Sequence, residues 1–185
     1  MTTLSKFRLT LLVEDQRHER FARMVCSQFG IAARNMRVVA HPVGRGSGKQ
    51  WVTQQYPEWV RKQRSKNHQQ TIALLIVTDV DELTSTIRRA QLAESLKLNA
   101  IDARTPNERI VLWLPKWRVE TWLKHFAGEA VDEVTKYSHR VSADKERAAA
   151  LKFFEEFQQF QLEPDQLTTL PSLRDAYEET TRLDP

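Results

Sequence analysis

Cysteine, glycine and long apolar runs are all scarce in this sequence. A single cysteine, Cys26, stands among 185 residues, which excludes an internal disulfide and favours a reducing cytoplasm. No apolar stretch approaches the roughly 20 residues that a membrane-spanning helix needs, and residues 1–10 lack the apolar run of a signal peptide. These absences predict a cytoplasmic protein with no membrane segment.

The scarcity of glycine leaves one glycine-rich loop. Three of the five glycines lie in the segment Val43-Gly-Arg-Gly-Ser-Gly-Lys-Gln50. A nucleotide-binding P-loop would need glycine in place of Val43 and Ser or Thr in place of Gln50, so a P-loop NTPase is excluded. Backbone amides of this loop, together with Arg45 and Lys49, are candidates for binding a phosphate. A plain surface turn is the alternative.

Positive charge is concentrated in one segment, although the formal net charge is only +4. Between residues 34 and 66 a single acid accompanies many bases, whereas acids outnumber bases after residue 141. A basic segment of this kind predicts binding to a polyanion such as nucleic acid, and a solvated helix face is the alternative. The candidate nucleic-acid-binding residues are Arg45, Lys49, Arg61, Lys62, Arg64 and Lys66.

Four apolar segments predict the strands of a sheet. The segment 72–78 is apolar or β-branched without alternation, which is typical of a strand buried on both faces. Segments 7–13, 36–41 and 109–114 have similar character, and helical periodicity separates the four. The order βαβαβαβα predicts an α/β fold with a small, mostly parallel sheet flanked by helices.

The helical segments divide the chain into an α/β domain, residues 1–126, and a helical C-terminal extension, residues 127–185, packed on it. Within the α/β domain, Pro57 is expected to begin a new helix, and Ile87 to face the core from the helix after the third strand. In the extension we expect Phe153, Phe154 and Phe157 to form one buried face.

Carboxylates follow two of the predicted strands. Glu14 and Asp15 end the first strand, and Asp79 and Asp81 follow the third. The carboxyl ends of parallel strands meet at one edge of a sheet, so these side chains should converge there. Their repulsion should raise at least one pKa unless a cation is bound, and oxygen ligands at this density suit Mg²⁺. The alternative is separate structural roles, with Asp81 capping a helix and Glu14 exposed in a loop.

The acidic motifs resemble those of a TOPRIM domain over about residues 7–126. The resemblance rests on the strand ending Leu11-Leu-Val-Glu14, the strand ending Val77-Thr-Asp-Val-Asp81, and the segment Pro115 to Trp122 with its Glu-x-Trp. It is closest to small stand-alone TOPRIM proteins and to the nuclease domains of overcoming-lysogenisation-defect enzymes. It implies that Glu14, Asp79 and Asp81 bind Mg²⁺ or Mn²⁺ for phosphodiester cleavage, with Glu120 as a further acid and Lys136 as an assisting lysine.

Two departures from that family pattern affect a second metal. Many relatives carry an acid four residues after the first glutamate, where this chain has His18. They also carry a glycine directly after that glutamate, where this chain has Asp15. Both changes put two-metal cleavage in doubt. His18 is either a substitute ligand or a partly exposed histidine on the helix.

The resemblance implies a magnesium-dependent nuclease, or a subunit of one, in bacterial defence against phage with a partner ATPase. Self-association into a homo-oligomer is left open. A non-catalytic TOPRIM-like module that binds nucleic acid or protein in a larger defence complex is the second interpretation. The third is a receiver domain with Asp79 as phosphoacceptor, although the strand at 109–114 ends without the Ser or Thr that receivers carry.

Overall fold

A four-stranded parallel sheet, in the order β2-β1-β3-β4, forms the centre of the computed structural model. The structure describes residues 7–42, 44, 46–66, 71–137, 141–167 and 169–183. None of the helices in those ranges is long and apolar enough to cross a membrane. The elements are β1 (Arg8–Val13), α1 (Gln16–Gln28), β2 (Met36–Ala40), α2 (Gly48–Arg64), β3 (Ile72–Val77), α3 (Ser85–Leu98), β4 (Ile110–Trp113), α4 (Val119–Phe126), α5 (Ala143–Leu162) and α6 (Pro171–Thr180).

The strand order creates a topological switch point between β1 and β3. The chain moves from β1 to β2 on one side of the sheet and then returns to place β3 on the other side of β1. Right-handed crossovers therefore put α1 on one face and α2 and α3 on the opposite face. Sheets of this type bind ligands in the crevice beyond the carboxyl ends of the two strands that flank the switch.

Two apolar clusters, one on each face of the sheet, stabilise this arrangement. One cluster joins the sheet to α1, α4, α5 and α6, and the other joins it to α2 and α3. Phe153 of α5 is fully buried and contacts Phe21, Trp113 and Trp122. The α/β class and the helical C-terminal region are therefore confirmed, and that region shares one continuous core with the sheet.

Two helices differ from the sequence expectation. Helix α2 continues through Pro57 without a break, because Val52, Tyr56 and Val60 bury its apolar face against the sheet and offset the missing backbone hydrogen bond. Along α3, Ile87 is exposed, and the neighbouring Arg88 is buried instead. The inward stripe of α3 is therefore rotated by one residue toward the polar centre described below.

Candidate metal centre

Glu14 and Asp79 meet at the carboxyl ends of β1 and β3. Glu14 directly follows β1, and its carboxylate accepts hydrogen bonds from the hydroxyl of Thr78 at 2.9 Å and from the backbone N–H of Asp79 at 3.1 Å. Both bonds come from the residues that follow β3. The two strand ends are thus tied together at the switch point, and one oxygen of Glu14 is held in a fixed position.

His18 joins this pair from the first turn of α1. Its ring is buried, with only 1% of the side chain exposed. Nδ1 lies 2.8 Å from Oδ1 of Asp15, and Nε2 lies 2.7 Å from Oδ1 of Asp79. Asp15 also caps α1 by accepting from the backbone N–H groups of Arg17 and His18. The cap that begins the helix therefore also orients the histidine.

Burial and mutual charge shift the pKa of each of these groups. Burial raises the pKa of Glu14, and the charge of Asp79 raises it further; burial likewise raises the pKa of Asp79. Burial alone would lower the pKa of His18, but Asp79 and Asp15 hold it well above its ordinary value. The pKa of Asp15 is lowered against the effect of its burial, because His18 hydrogen-bonds to it. The pKa of both carboxylates is thus raised mainly by burial, and the two carboxylates beside His18 favour its protonated form.

The donor set fits a divalent cation. One ligand atom each from Glu14, His18 and Asp79 can be chosen so that all three lie within 4.8 Å of one another. If a cation displaced the proton on Nε2 of His18, the Nδ1–H group would still donate to Asp15. Metal-binding histidines are commonly oriented by a carboxylate in this way, which fixes the tautomer and the ring position.

Asp81 is not part of this group. The resemblance implied that Asp81 binds the metal, but its carboxylate accepts from the ammonium group of Lys49 at 2.6 Å. The backbone at Asp81 turns into the left-handed region, with φ of 54°, and forms a bridge to Trp117. This turn, with Val80 buried before it, directs Asp81 to Lys49, and His18 takes its place in the donor set.

Glu120 lies beside the centre, whereas Lys136 does not. Glu120 is largely buried on the first turn of α4 and pairs with Arg17, and its charge acts on Asp79. Lys136 is exposed, and its ammonium group lies 5.9 Å from the centre of the Trp117 ring. The contact recorded for Lys136 is therefore with an aromatic ring and not with a carboxylate of the centre.

Arg88 is a buried positive charge that the sequence interpretation missed. Only 2% of the residue is exposed, and its guanidinium donates to the hydroxyls of Thr53 at 2.8 Å and Thr78 at 3.1 Å. Thr78 in turn donates to Glu14, so Arg88 supports that carboxylate indirectly, through the hydroxyl of Thr78. The signal in the sequence was the spacing of Arg88 and Leu92, which places the arginine on the inward stripe of α3.

Gly48 brings the start of α2 against Glu14. A Cβ atom at this position would lie 2.7 Å from Cγ of Glu14 and 2.8 Å from its backbone oxygen. Real Cβ atoms do not approach that closely, so only glycine fits without displacing Glu14. The sequence interpretation assigned this glycine to a phosphate-binding loop, and in the structure it lies against the side-chain methylene and the backbone of Glu14.

Most of the other basic candidates lie at the far end of α2. Arg61 donates to the carbonyl of Asn99 at 2.5 Å, and Arg64 forms an ion pair with Glu108. Lys62 pairs with Glu58 one turn earlier, and Lys66 follows the end of the helix. Arg45 lies outside the described residues. None of the described members of this basic group contacts Glu14, His18 or Asp79.

An open cleft of about 850 Å³ lies beside Glu14, between the first turns of α1 and the residues that follow β2. Arg17, Arg20 and His41 line it together with Glu14 and Asp15. Glu19 lines it as well, so both acids and bases surround the cleft, and of the three residues of the centre Glu14 is the one that reaches it.

Comparison of the chain with protein-family models, with curated proteins and with solved structures finds no match.

Proposed function

We propose that this chain is a metal-dependent phosphodiesterase that acts on nucleic acid, with a single divalent cation held by Glu14, His18 and Asp79. The observation that carries the proposal is the convergence of these three ligand atoms within 4.8 Å at the switch point of the sheet. The resemblance of the acidic motifs to TOPRIM nucleases supplies the reaction class.

Two carboxylates and one imidazole favour Mn²⁺ over Mg²⁺. Mg²⁺ prefers oxygen ligands alone, whereas Mn²⁺ accepts both carboxylate and imidazole. A cation held by these three residues would supply Lewis-acid chemistry, namely polarisation of a phosphate oxygen and a lowered pKa of a bound water. Around it, Asp15 orients the ring of His18, and Arg17 and Arg20 line the adjacent cleft while paired with Glu120 and Glu146.

The positions of Lys49 and Arg17 favour one metal over two. Lys49 binds Asp81 and Arg17 binds Glu120, so the chain's own cations already pair with the two acids that would serve a second metal. The partner ATPase and the role in phage defence remain predictions that rest on the resemblance alone.

The same ion pairs favour a second function, a non-catalytic module that binds nucleic acid. Four cations of the chain, namely Arg17, His18, Lys49 and Arg88, already offset the carboxylates of this edge. A polar network whose negative charge is largely offset in this way needs no metal to be stable. In that case the acidic edge is structural, and the protein acts by binding alone.

A cleavage assay separates the two functions. The parent, Asp79→Asn and the exposed control Glu94→Gln are incubated with labelled single- and double-stranded DNA and RNA in Mn²⁺, Mg²⁺ or EDTA. The proposal predicts cleavage in Mn²⁺ by the parent and the control, and a loss of at least 100-fold in Asp79→Asn. Binding without cleavage by the parent in every metal would leave the binding module as the function.

A further inference from the structure

A second cleft, which is basic, lies at the amino ends of the strands, opposite the candidate metal centre. It has a volume of about 780 Å³ and is formed by the first residues of β1, β2 and β3 together with the end of α2. Among the residues that line it, all in the described part of the chain, five are cationic and none is a carboxylate. The five cations are Arg8, Arg34, Arg37, Lys62 and Lys66, and we call this the amino-edge cleft.

Most cations of the amino-edge cleft lack acidic partners among the described residues; Lys62, which pairs with Glu58, is the exception among the five. Arg64, close by on α2, is bound to Glu108, whereas Arg8, Arg34 and Lys66 form no ion pair within the described residues. Arg37 lies over the ring of Trp59. Several uncompensated positive charges around one concave site repel one another and raise the local concentration of anions.

Trp59 in the lining provides a second, independent observation. The residue is only 8% exposed, and its indole Nε1 is buried without a hydrogen-bond partner in the described part of the chain. A buried indole N–H normally has an acceptor. The unpaired N–H of Trp59 thus adds an unsatisfied donor to a lining that holds cations and no carboxylate.

The ring of Trp59 is not free to stack on a base. The guanidinium carbon of Arg37 lies 4.9 Å from the ring centre and the ammonium nitrogen of Lys62 lies 4.3 Å from it. Base-stacking sites need an open aromatic face, so this cleft is suited to phosphates and not to bases. Contacts to phosphates carry no sequence information but position a nucleic acid.

We propose that the amino-edge cleft binds the phosphodiester backbone of a nucleic acid as an anchoring site separate from the metal centre. This inference rests on the proposed function in that it takes nucleic acid as the ligand. The six residues of β1 separate the two sites, which corresponds to roughly 20 Å at 3.3 Å per residue. A duplex advances 3.4 Å per base pair, so about six base pairs span that distance.

The test is the salt dependence of binding, measured in EDTA so that it does not depend on the metal centre. Fluorescence anisotropy with labelled 20-nucleotide DNA, single- and double-stranded, is recorded between about 50 and 200 mM salt. The parent is compared with the triple variant Arg8→Gln/Arg34→Gln/Arg37→Gln. We expect affinity to fall at least 10-fold and the slope of log K against log salt to drop by about 2 to 3, or roughly 0.7–0.9 per lost contact.

The matched control removes the same charge from exposed positions elsewhere, as Lys97→Gln/Lys145→Gln/Arg147→Gln. It should keep a slope within one unit of the parent. Should the triple variant fail to fold, the single variant Arg34→Gln, on the turn before β2, should lower the slope by about 0.7–0.9. An unchanged slope in the cleft variants, or an equal loss in the control, would overturn the proposal.

Two further outcomes separate the possible failures. Displacement of DNA by poly-glutamate at the same charge concentration would assign the cleft to an acidic protein and overturn the nucleic-acid proposal. If the cleft variants lose binding although the parent never cleaves, the anchoring site stands and the proposed nuclease function falls. If the parent cleaves and the cleft variants bind as it does, the anchoring site alone falls.

Discussion

His18 is held at both ring nitrogens by carboxylates from different parts of the fold. Asp15 belongs to the same helix start, and Asp79 follows a strand on the other side of the switch point. A proton on Nε2 and a metal ion therefore compete for the same place between His18 and Asp79. When the ring is protonated, His18 forms ion pairs with Asp15 and Asp79. When Nε2 is deprotonated, that nitrogen is available to bind a metal ion.

The stability of the protein in EDTA should carry a signature of His18 as pH changes. The folded-state pKa of His18 is raised above its ordinary value of 6.5, so its contribution is complete below about pH 6.5 and is lost as pH rises through the folded-state pKa. Denaturant unfolding of the parent and of His18→Gln between about pH 6 and 10 should show a difference that shrinks with rising pH.

Asp81→Asn is the control for that series, because it keeps His18 and both of its carboxylates, and asparagine tolerates the left-handed backbone at this position. It should show the same pH dependence as the parent. A difference between the parent and His18→Gln that stays constant across the range would mean that His18 is neutral in the folded protein.

At the scale of one element, the start of α2 fixes the position of Glu14. Ser47 caps this helix, and Gly48 at its first position packs against Glu14. A Cβ atom at Gly48 would meet Cγ and the backbone oxygen of Glu14, so the start of the helix restricts this residue by packing. Because of this contact, the start of α2 and Glu14 cannot shift independently of each other.

Gly48→Ala should therefore destabilise the protein, although glycine to alanine within a helix usually stabilises by about 0.5–1 kcal/mol. The added Cβ overlaps the backbone oxygen of Glu14, and a clash of this kind costs about 1–3 kcal/mol. Denaturant unfolding measures the change. Gln54→Ala, exposed on the same helix, should be neutral or mildly stabilising. If Gly48→Ala changed the free energy of unfolding no more than Gln54→Ala does, the tight approach to Glu14 would not exist.

Across the whole molecule, the sheet could be predicted from sequence more completely than the site. Continuous apolar runs identify buried strands such as β3, and the sequence also predicted that Glu14 and Asp79 lie at one edge of the sheet. The position of His18 beside them, and the pairing of Asp81 with Lys49, depend on a backbone turn and on a contact between residues 32 apart along the chain. Contacts at such separation leave no local periodicity, so they could not be predicted from the sequence pattern.

The C-terminal helices should be essential for the stability of the whole fold. Phe153 is fully buried where α1, β4, α4 and α6 meet. Phe153→Ala should cost about 3–5 kcal/mol in the free energy of unfolding, because it leaves a cavity in a packed core. Leu151→Ala, at a position that is 45% exposed on the same helix, should cost under about 1 kcal/mol. Equal effects would place Phe153 outside the core.

Glu14, His18 and Asp79 are proposed to hold one divalent cation. Calorimetric titration with Mn²⁺ tests it directly on the parent, on Glu14→Gln, on His18→Gln and on Asp81→Asn. We expect one site in the parent, an affinity at least 10-fold weaker in Glu14→Gln and His18→Gln, and little change in Asp81→Asn. A parent that binds no Mn²⁺, or whose affinity depends on Asp81 and not on His18, would contradict the account.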